Sequence, residues 1–115
     1  SQINGCAYCL DMHSKDARAL GESEQRLYAL NAWRETPFFT ERERAALALT
    51  EAATLIANGH IPDELYAEVS RHFAPAELMN LMLAIVTING WNRIAITFQT
   101  PVGTYQSRHT KQMST

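Results

Sequence analysis

Two cysteines and a histidine stand close together near the start of this sequence. Cys6, Cys9 and His13 form a Cys-x-x-Cys-x-x-x-His cluster, and the 115 residues contain two cysteines in all. Residues spaced i, i+3 and i+7 share one face of a helix, so the three side chains are expected to lie together. A disulfide across so short a loop would stabilise a fold little, so reactivity or metal binding explains the pair better.

Such a cluster suits thiol redox chemistry. The Asn4-Gly5 turn signal predicts that the cysteines lie near a helix N-terminus, where the helix dipole favours a thiolate over a thiol. A thiolate can reduce a peroxide and become a sulfenic acid, which a second cysteine condenses to a disulfide that an external dithiol resets. His13 would take the thiol proton or deliver a proton to the leaving alkoxide.

Other interpretations of the cluster remain open at this point. Two Cys and one His could be three ligands of a tetrahedral zinc, but the fourth ligand is missing because His60, His72 and His109 are isolated in the sequence. A buried pair of helix cysteines without a function is a second interpretation. A non-enzymatic redox sensor with the same disulfide switch is a third. A thioredoxin-like motif would require a βαβ pattern, which the sequence lacks.

Composition describes a single soluble domain. Hydrophobic residues make up 46% and charged residues 19%, and the net charge of −2 gives no general attraction to nucleic acid or to an anionic membrane. The longest apolar run, 78–88, is too short to cross a membrane. We therefore expect a cytoplasmic protein with a domain over 1–103 and a polar tail over 104–115. Because the first residue is Ser1 rather than Met, we expect that N-terminal sequence is missing.

The pattern predicts an all-α fold of about five helices. Their starts and ends follow from local signals: Gly21 and Gly59 as stops, Ser23 as an N-cap, Thr40 and Glu43 as a capping box, and Pro62 and Pro75 at the first helical position. The predicted helices run from the cysteine cluster to about Leu20, then over about 24–34, 41–58, 62–73 and 75–98.

The last predicted helix is long and apolar on most of its circumference. A helix of this kind is buried in the middle of an assembly. In a chain this short, that predicts burial against other subunits as well as against its own core.

The segment around the cysteine cluster strongly resembles the AhpD-like alkylhydroperoxidases of the carboxymuconolactone decarboxylase superfamily. The resemblance lies in the residues Gly5-Cys6-Ala7-Tyr8-Cys9-Leu10-Asp11-Met12-His13-Ser14-Lys15-Asp16-Ala17-Arg18. Weaker likenesses cover 27–34, 39–43, 48–52 and 88–93. The resemblance implies a compact all-α fold with a long central C-terminal helix. It also implies a homotrimer or homohexamer that reduces hydroperoxides with a dithiol reductant and without a cofactor or metal.

The resemblance also implies different roles for the members of the cluster. By that analogy Cys9 is the peroxidatic cysteine, Cys6 is the resolving cysteine and His13 belongs to a proton relay. The family's relay includes a glutamate upstream of the first cysteine, but only five residues precede Cys6 here. Glu51, in an alanine-rich apolar helix, is a candidate substitute carboxylate, although a surface glutamate is the commoner explanation of such a residue.

Asn89, Asn92 and Arg93 lie in the long apolar helix. They could line a site, but such residues more often satisfy buried backbone groups or bridge subunits.

Overall fold

The computed structural model describes residues 1–109, and within them the chain is all-α, without a strand. This part of the chain contains five α-helices: α1 (Ala7–Ala19), α2 (Glu24–Ala29), α3 (Glu41–Thr54), α4 (Asp63–His72) and α5 (Pro75–Thr97). Two short 3₁₀ helices, Leu30–Glu35 and Ile56–Asn58, follow α2 and α3. The predicted fold class is confirmed.

The chain separates into two compact units. The first contains Ser1–Ala32 and Trp91–Thr115, of which residues up to 109 are described, and the second contains Trp33–Gly90. Helix α5 therefore begins in the second unit and ends in the first.

Helix α1 begins and ends, and helix α2 begins, at the residues that the sequence indicates. Cys6 is the N-cap of α1, and the helix ends before Gly21, whose φ of 98° lies in the left-handed region that favours glycine. The amide N–H of Gly21 donates to the carbonyl of Arg18 at 3.0 Å. Ser23 is the N-cap of α2, and its hydroxyl accepts from the amide of Arg26 at 3.1 Å.

The predicted second helix is too long by one turn. The α-helix ends at Ala29, and the chain continues as a 3₁₀ helix interrupted by non-helical dihedral angles at Ala32. The early end of the α-helix is explained by Arg44, whose guanidinium donates to the carbonyls of Trp33, Arg34 and Thr36. These side-chain bonds replace the hydrogen bonds that a continued α-helix would have supplied.

Helix α3 begins with the predicted capping box. The Thr40 hydroxyl accepts from the amide of Glu43 at 3.1 Å, and the Glu43 carboxylate accepts from the amide of Thr40 at 2.9 Å. The α-helix ends at Thr54, four residues before the predicted end, because the chain tightens into a 3₁₀ turn at Ile56–Asn58. Gly59, with a φ of 141°, stops the segment as predicted.

Helices α4 and α5 lie close to their predicted ranges. The assignment of Pro62 to the first helical position was wrong by one residue, since its ψ of 145° is extended and makes it the N-cap of α4. Pro75 is the first residue of α5, where the missing N–H of proline costs no helical hydrogen bond.

The core of the second unit is formed by Ala45, Leu49, Val69 and Ile85, which are all buried. Complete burial of a valine or leucine side chain stabilises a fold by about 1.5–3 kcal/mol. Helix α5 contributes one face to this core, but Met79 and Val86 are each 61% exposed in the single chain. Its circumference is thus only partly covered by the residues of one chain.

Part of the predicted polar tail contacts α1 in the first unit. The Tyr105 hydroxyl donates to both carboxylate oxygens of Asp16, at 2.9 and 3.0 Å, and the Lys15 ammonium donates to the backbone carbonyl of Tyr105 at 3.0 Å. Ser107 is buried. Tyr105 and Ser107 are therefore held by specific contacts within this segment, and the prediction of a polar tail over 104–115 stays a prediction, since 110–115 lie outside the described residues.

Over residues 1–109, no helix taken singly is both long and apolar enough to span a membrane. The pair α4 and α5, bent by 115°, meets that test by length and composition only.

Candidate active site

The N-terminus of α1 positions the two cysteines. Gly5 adopts a φ of 69°, and the amides of Gly5 and Cys6 both donate to the carbonyl of Ser1 in a tight turn. This turn leaves Cys6 in an extended conformation at the N-cap, where its sulfur accepts from the amide of Cys9 at 3.4 Å. The predicted location of the cysteines at a helix N-terminus is confirmed.

The two sulfur atoms are in direct contact. Their Sγ atoms lie 2.7 Å apart and share a hydrogen bond, and both cysteines are free thiols. Each residue is 1% exposed. Two thiols in this arrangement can exchange a proton, and a small side-chain movement would bring them to the S–S bond length of about 2.05 Å.

The surroundings of Cys9 oppose its ionisation. Burial raises the pKa of the Cys9 thiol, and the hydrogen bond with Cys6 and the charge of Cys6 act in the same direction. A hydrogen bond from the side chain of Asn92 lowers the pKa and is the main opposing influence. Cys9 is therefore a thiol at neutral pH, and its use as a nucleophile requires a group that accepts the proton.

His13 lies one helical turn beyond Cys9 on α1, but its side chain is exposed. Within residues 1–109, no hydrogen bond joins the imidazole to either sulfur. The structure thus brings the two cysteines together and leaves His13 beside them on the same helix, facing solvent.

Asp16 is a carboxylate near His13 that was not among the predicted site residues. A hydrogen bond from Ser107 and another from Tyr105 lower the pKa of Asp16, and electrostatic interactions with His109 and His13 act in the same direction, while burial opposes them. The sequence feature that could have identified Asp16 is its spacing of three residues from His13, which places both side chains on one face of α1.

Glu51 lies in the second unit, with partners of its own. Its carboxylate accepts a hydrogen bond from the indole Nε1 of Trp33 at 2.9 Å and pairs with the guanidinium of Arg34. That guanidinium also lies over the Trp33 ring, 4.3 Å from the ring centroid. These contacts give Glu51 a structural role, and its assignment as a substitute relay carboxylate stays a prediction.

No metal site is evident in the part of the chain that the structure describes. Within residues 1–109, no three His, Cys, Asp or Glu side chains are grouped so that they could hold an ion. The zinc interpretation of the cysteine cluster therefore gains no support from the geometry.

A groove of about 1000 Å³ lies within the first unit. Its walls include Lys15 and Arg18 of α1, Leu27 and Tyr28 of α2, and residues 103–107. Neither cysteine lines it, and Lys15 and Arg18 already pair with Asp11 and Glu24.

Comparison with known proteins identifies the class. The model of the carboxymuconolactone decarboxylase family matches residues 1–52. A crystal structure of a protein of unknown function from Agrobacterium tumefaciens, named as a candidate antioxidant defence protein AhpD, has 43% sequence identity and a TM-score of 0.86. The match covers 90% of this chain and 70% of that protein. The chain belongs to the carboxymuconolactone decarboxylase superfamily as an AhpD-like member.

Two uncharacterized bacterial proteins are also similar in sequence. YdfG of Bacillus subtilis is 52% identical over 96 residues, which cover 84% of this chain and 65% of YdfG. YnjA of Escherichia coli is 31% identical over 85 residues, which cover 74% of this chain and 46% of YnjA. The chain thus spans less than two thirds of the length of these relatives.

Proposed function

We propose that the protein is a thiol peroxidase, which reduces hydroperoxides through a dithiol–disulfide cycle of Cys9 and Cys6. The observation that carries the proposal is the contact between two free thiols at the N-terminus of α1, with their sulfurs 2.7 Å apart. Membership of the AhpD-like class supports it.

In the first step Cys9 acts as the nucleophile. Because burial raises the pKa of Cys9, the thiol must give its proton to a base, and His13 is one helical turn away. The Cys9 sulfur then bonds to the distal peroxide oxygen while the O–O bond breaks. The alkoxide leaves with the electron pair and takes the proton that His13 holds, which yields an alcohol and the Cys9 sulfenic acid.

In the second step Cys6 resolves the sulfenic acid. The Cys6 sulfur bonds to the Cys9 sulfur, the S–O bond breaks, and the hydroxyl leaves as water with the proton of the Cys6 thiol. An external dithiol then reduces the disulfide by two electrons, which restores both thiols and leaves the reductant oxidised. No metal or cofactor takes part in this cycle.

The burial of the sulfurs supports a second candidate function. Since both cysteines are 1% exposed, a hydroperoxide can reach them only when the covering residues move. Slow access suits a redox sensor, in which formation of the disulfide changes the surface that a partner protein binds. Such a sensor would form the disulfide without useful turnover.

The exposed apolar residues of α5 support a proposal of self-association. Met79 and Val86 are 61% exposed and Trp91 is 58% exposed. Side chains of this kind are usually covered in an assembly. We therefore include a homotrimer or homohexamer in the proposed function, to be measured by sedimentation or light scattering.

Peroxide consumption in the presence of a dithiol tests the enzymatic proposal. We expect Cys9→Ser to abolish consumption and His13→Ala to slow it by about 100-fold or more, the range typical of a lost general acid–base group. Cys6→Ser should accumulate a sulfenic acid that dimedone traps. Ser14→Ala, beside His13 on the same helix, is the matched control and should retain full activity.

The outcomes separate the candidates. Equal consumption by the wild type and Cys9→Ser contradicts the peroxidase proposal. Disulfide formation by one equivalent of peroxide without turnover by the dithiol favours the sensor. Stoichiometric zinc that is lost with either cysteine contradicts both.

A further inference from the structure

Asn92 is the most completely buried polar residue in the described part of the chain. Its exposure is 0%, and it lies in the part of α5 that belongs to the first unit. A buried amide is costly unless its donors and acceptor are all paired. Its partners therefore indicate what the residue does.

Side chains on both sides orient the Asn92 amide. Its Oδ1 accepts from the Nδ2 of Asn4 at 3.0 Å, and its Nδ2 donates to the Oγ of Ser1 at 3.1 Å. The acceptor end of the amide is thereby fixed by Asn4, so the Nδ2 end is the donor end. An amide nitrogen carries two hydrogens, and Ser1 takes one of them.

Ser1 links Asn92 to the turn that holds the cysteines, because its hydroxyl accepts from the Asn92 Nδ2 at 3.1 Å and its carbonyl accepts from the amide of Cys6 at 3.2 Å. Asn92 is close enough to act on Cys9, and a hydrogen bond from its side chain lowers the pKa of the Cys9 thiol. A neutral N–H donor stabilises a sulfur anion without adding a charge to a buried site. Burial and Cys6 both raise the pKa of Cys9, whereas this bond lowers it. Cys6 is the titratable side chain that acts on Cys9.

We propose that Asn92 is a positioning residue for Cys9, which donates its second amide hydrogen to the Cys9 sulfur and stabilises the thiolate that attacks the peroxide. The proposal rests on the proposed function in one respect, namely that Cys9 is the reactive cysteine. Asn4 is the supporting residue, because it holds the amide with its donor end toward the sulfur.

This role explains the choice of an amide at position 92. Aspartate has nearly the same shape but cannot donate, and its charge would oppose a second negative charge on Cys9. Alanine removes both the donor and the oxygen that accepts from the Asn4 side chain. Both substitutions are therefore expected to make Cys9 harder to ionise, with Asn92→Asp having the larger effect.

The test measures the pH dependence of Cys9 alkylation by iodoacetamide, with the modified peptide identified by mass spectrometry. Cys6→Ser is used as the parent, so that no disulfide forms. We expect the midpoint of the rate–pH profile to rise by about one pH unit in Asn92→Ala, which lowers the rate at pH 7 about tenfold. Asn92→Asp should raise the midpoint further, and Asn4→Ala should raise it less.

Asn89 provides a matched control on the same helix. Its Nδ2 donates to the Thr54 hydroxyl at 3.1 Å and to the carbonyl of Ile85 at 2.9 Å, within the second unit. Asn89→Ala also removes a partly buried amide, but we expect it to keep the parent profile. If Asn92→Ala does not fold, as judged by circular dichroism, Asn4→Ala and Asn92→Asp carry the test.

The result is independent of peroxidase activity. Folded Asn92 and Asn4 variants that keep the parent profile contradict the role of Asn92, even if the wild type consumes peroxide. A raised midpoint supports the role of Asn92, even if the wild type does not consume peroxide and the proposed function fails.

Discussion

Replacement of Glu51 distinguishes a structural role from a role in the proton relay. The Glu51 carboxylate accepts from the indole of Trp33, which is only 6% exposed, and pairs with Arg34, which is 57% exposed. Loss of the acceptor would leave a buried N–H without a partner, at a cost of about 1–3 kcal/mol. Loss of the exposed ion pair alone costs about 0–1 kcal/mol.

Two substitutions separate these contributions. Glu51→Gln keeps an acceptor oxygen for Trp33 and loses only the charge, so we expect the free energy of unfolding to fall by less than about 1 kcal/mol. Glu51→Leu removes the acceptor as well, so we expect a fall of about 2–3 kcal/mol. In thermal unfolding the loss expected for Glu51→Leu corresponds to a Tm lower by roughly 8–12 °C.

Urea denaturation and thermal unfolding measure both values, with Glu35→Leu as a control at an exposed glutamate. If Glu51→Gln destabilises the protein as much as Glu51→Leu, the bond to Trp33 is not the dominant interaction and the reasoning is refuted. Peroxide consumption by Glu51→Gln then addresses the relay. A stable variant that no longer consumes peroxide supports the relay role, and unchanged consumption excludes it.

Two further predictions concern α1 and α3. A hydrogen bond from Ser107 and another from Tyr105 lower the pKa of Asp16 below its ordinary value of about 4. The ionised carboxylate therefore stabilises the fold above about pH 4, and this stabilisation is lost as the pH falls toward the pKa of Asp16 in the folded state. Asp16→Asn should thus lower the Tm at pH 7 and flatten the decline of Tm with acid; an unchanged Tm–pH curve would contradict this assignment. Thr40→Ala, which removes the hydroxyl half of the capping box, should lower the free energy of unfolding by about 1 kcal/mol in urea denaturation, and Thr40→Ser, which keeps the hydroxyl, should restore most of the loss.

Local signals in the sequence were sufficient to predict five helices, most of their starts, and the contact between the cysteines. The Thr40–Glu43 capping box, the stop at Gly21 and the start of α5 at Pro75 all depend on residues within one turn of each other. The i, i+3 spacing of Cys6 and Cys9 likewise placed their sulfurs together. The predicted end of α2 was wrong because a side chain distant in sequence affects it: the Arg44 guanidinium donates to the carbonyls of the turn that follows α2.

The sequence by itself determined an all-α protein with a pair of neighbouring cysteines at the start of a helix, because backbone geometry and capping act over a few residues. Only the tertiary structure decided what surrounds that pair. Asn4 and Asn92 are 88 positions apart in the chain, and the spacing of residues contains no information about their hydrogen bond. Packing between distant segments buries the two sulfurs, places the Asn92 side chain beside Cys9 and brings the Tyr105 hydroxyl to the carboxylate of Asp16. Local propensity does not specify such packing.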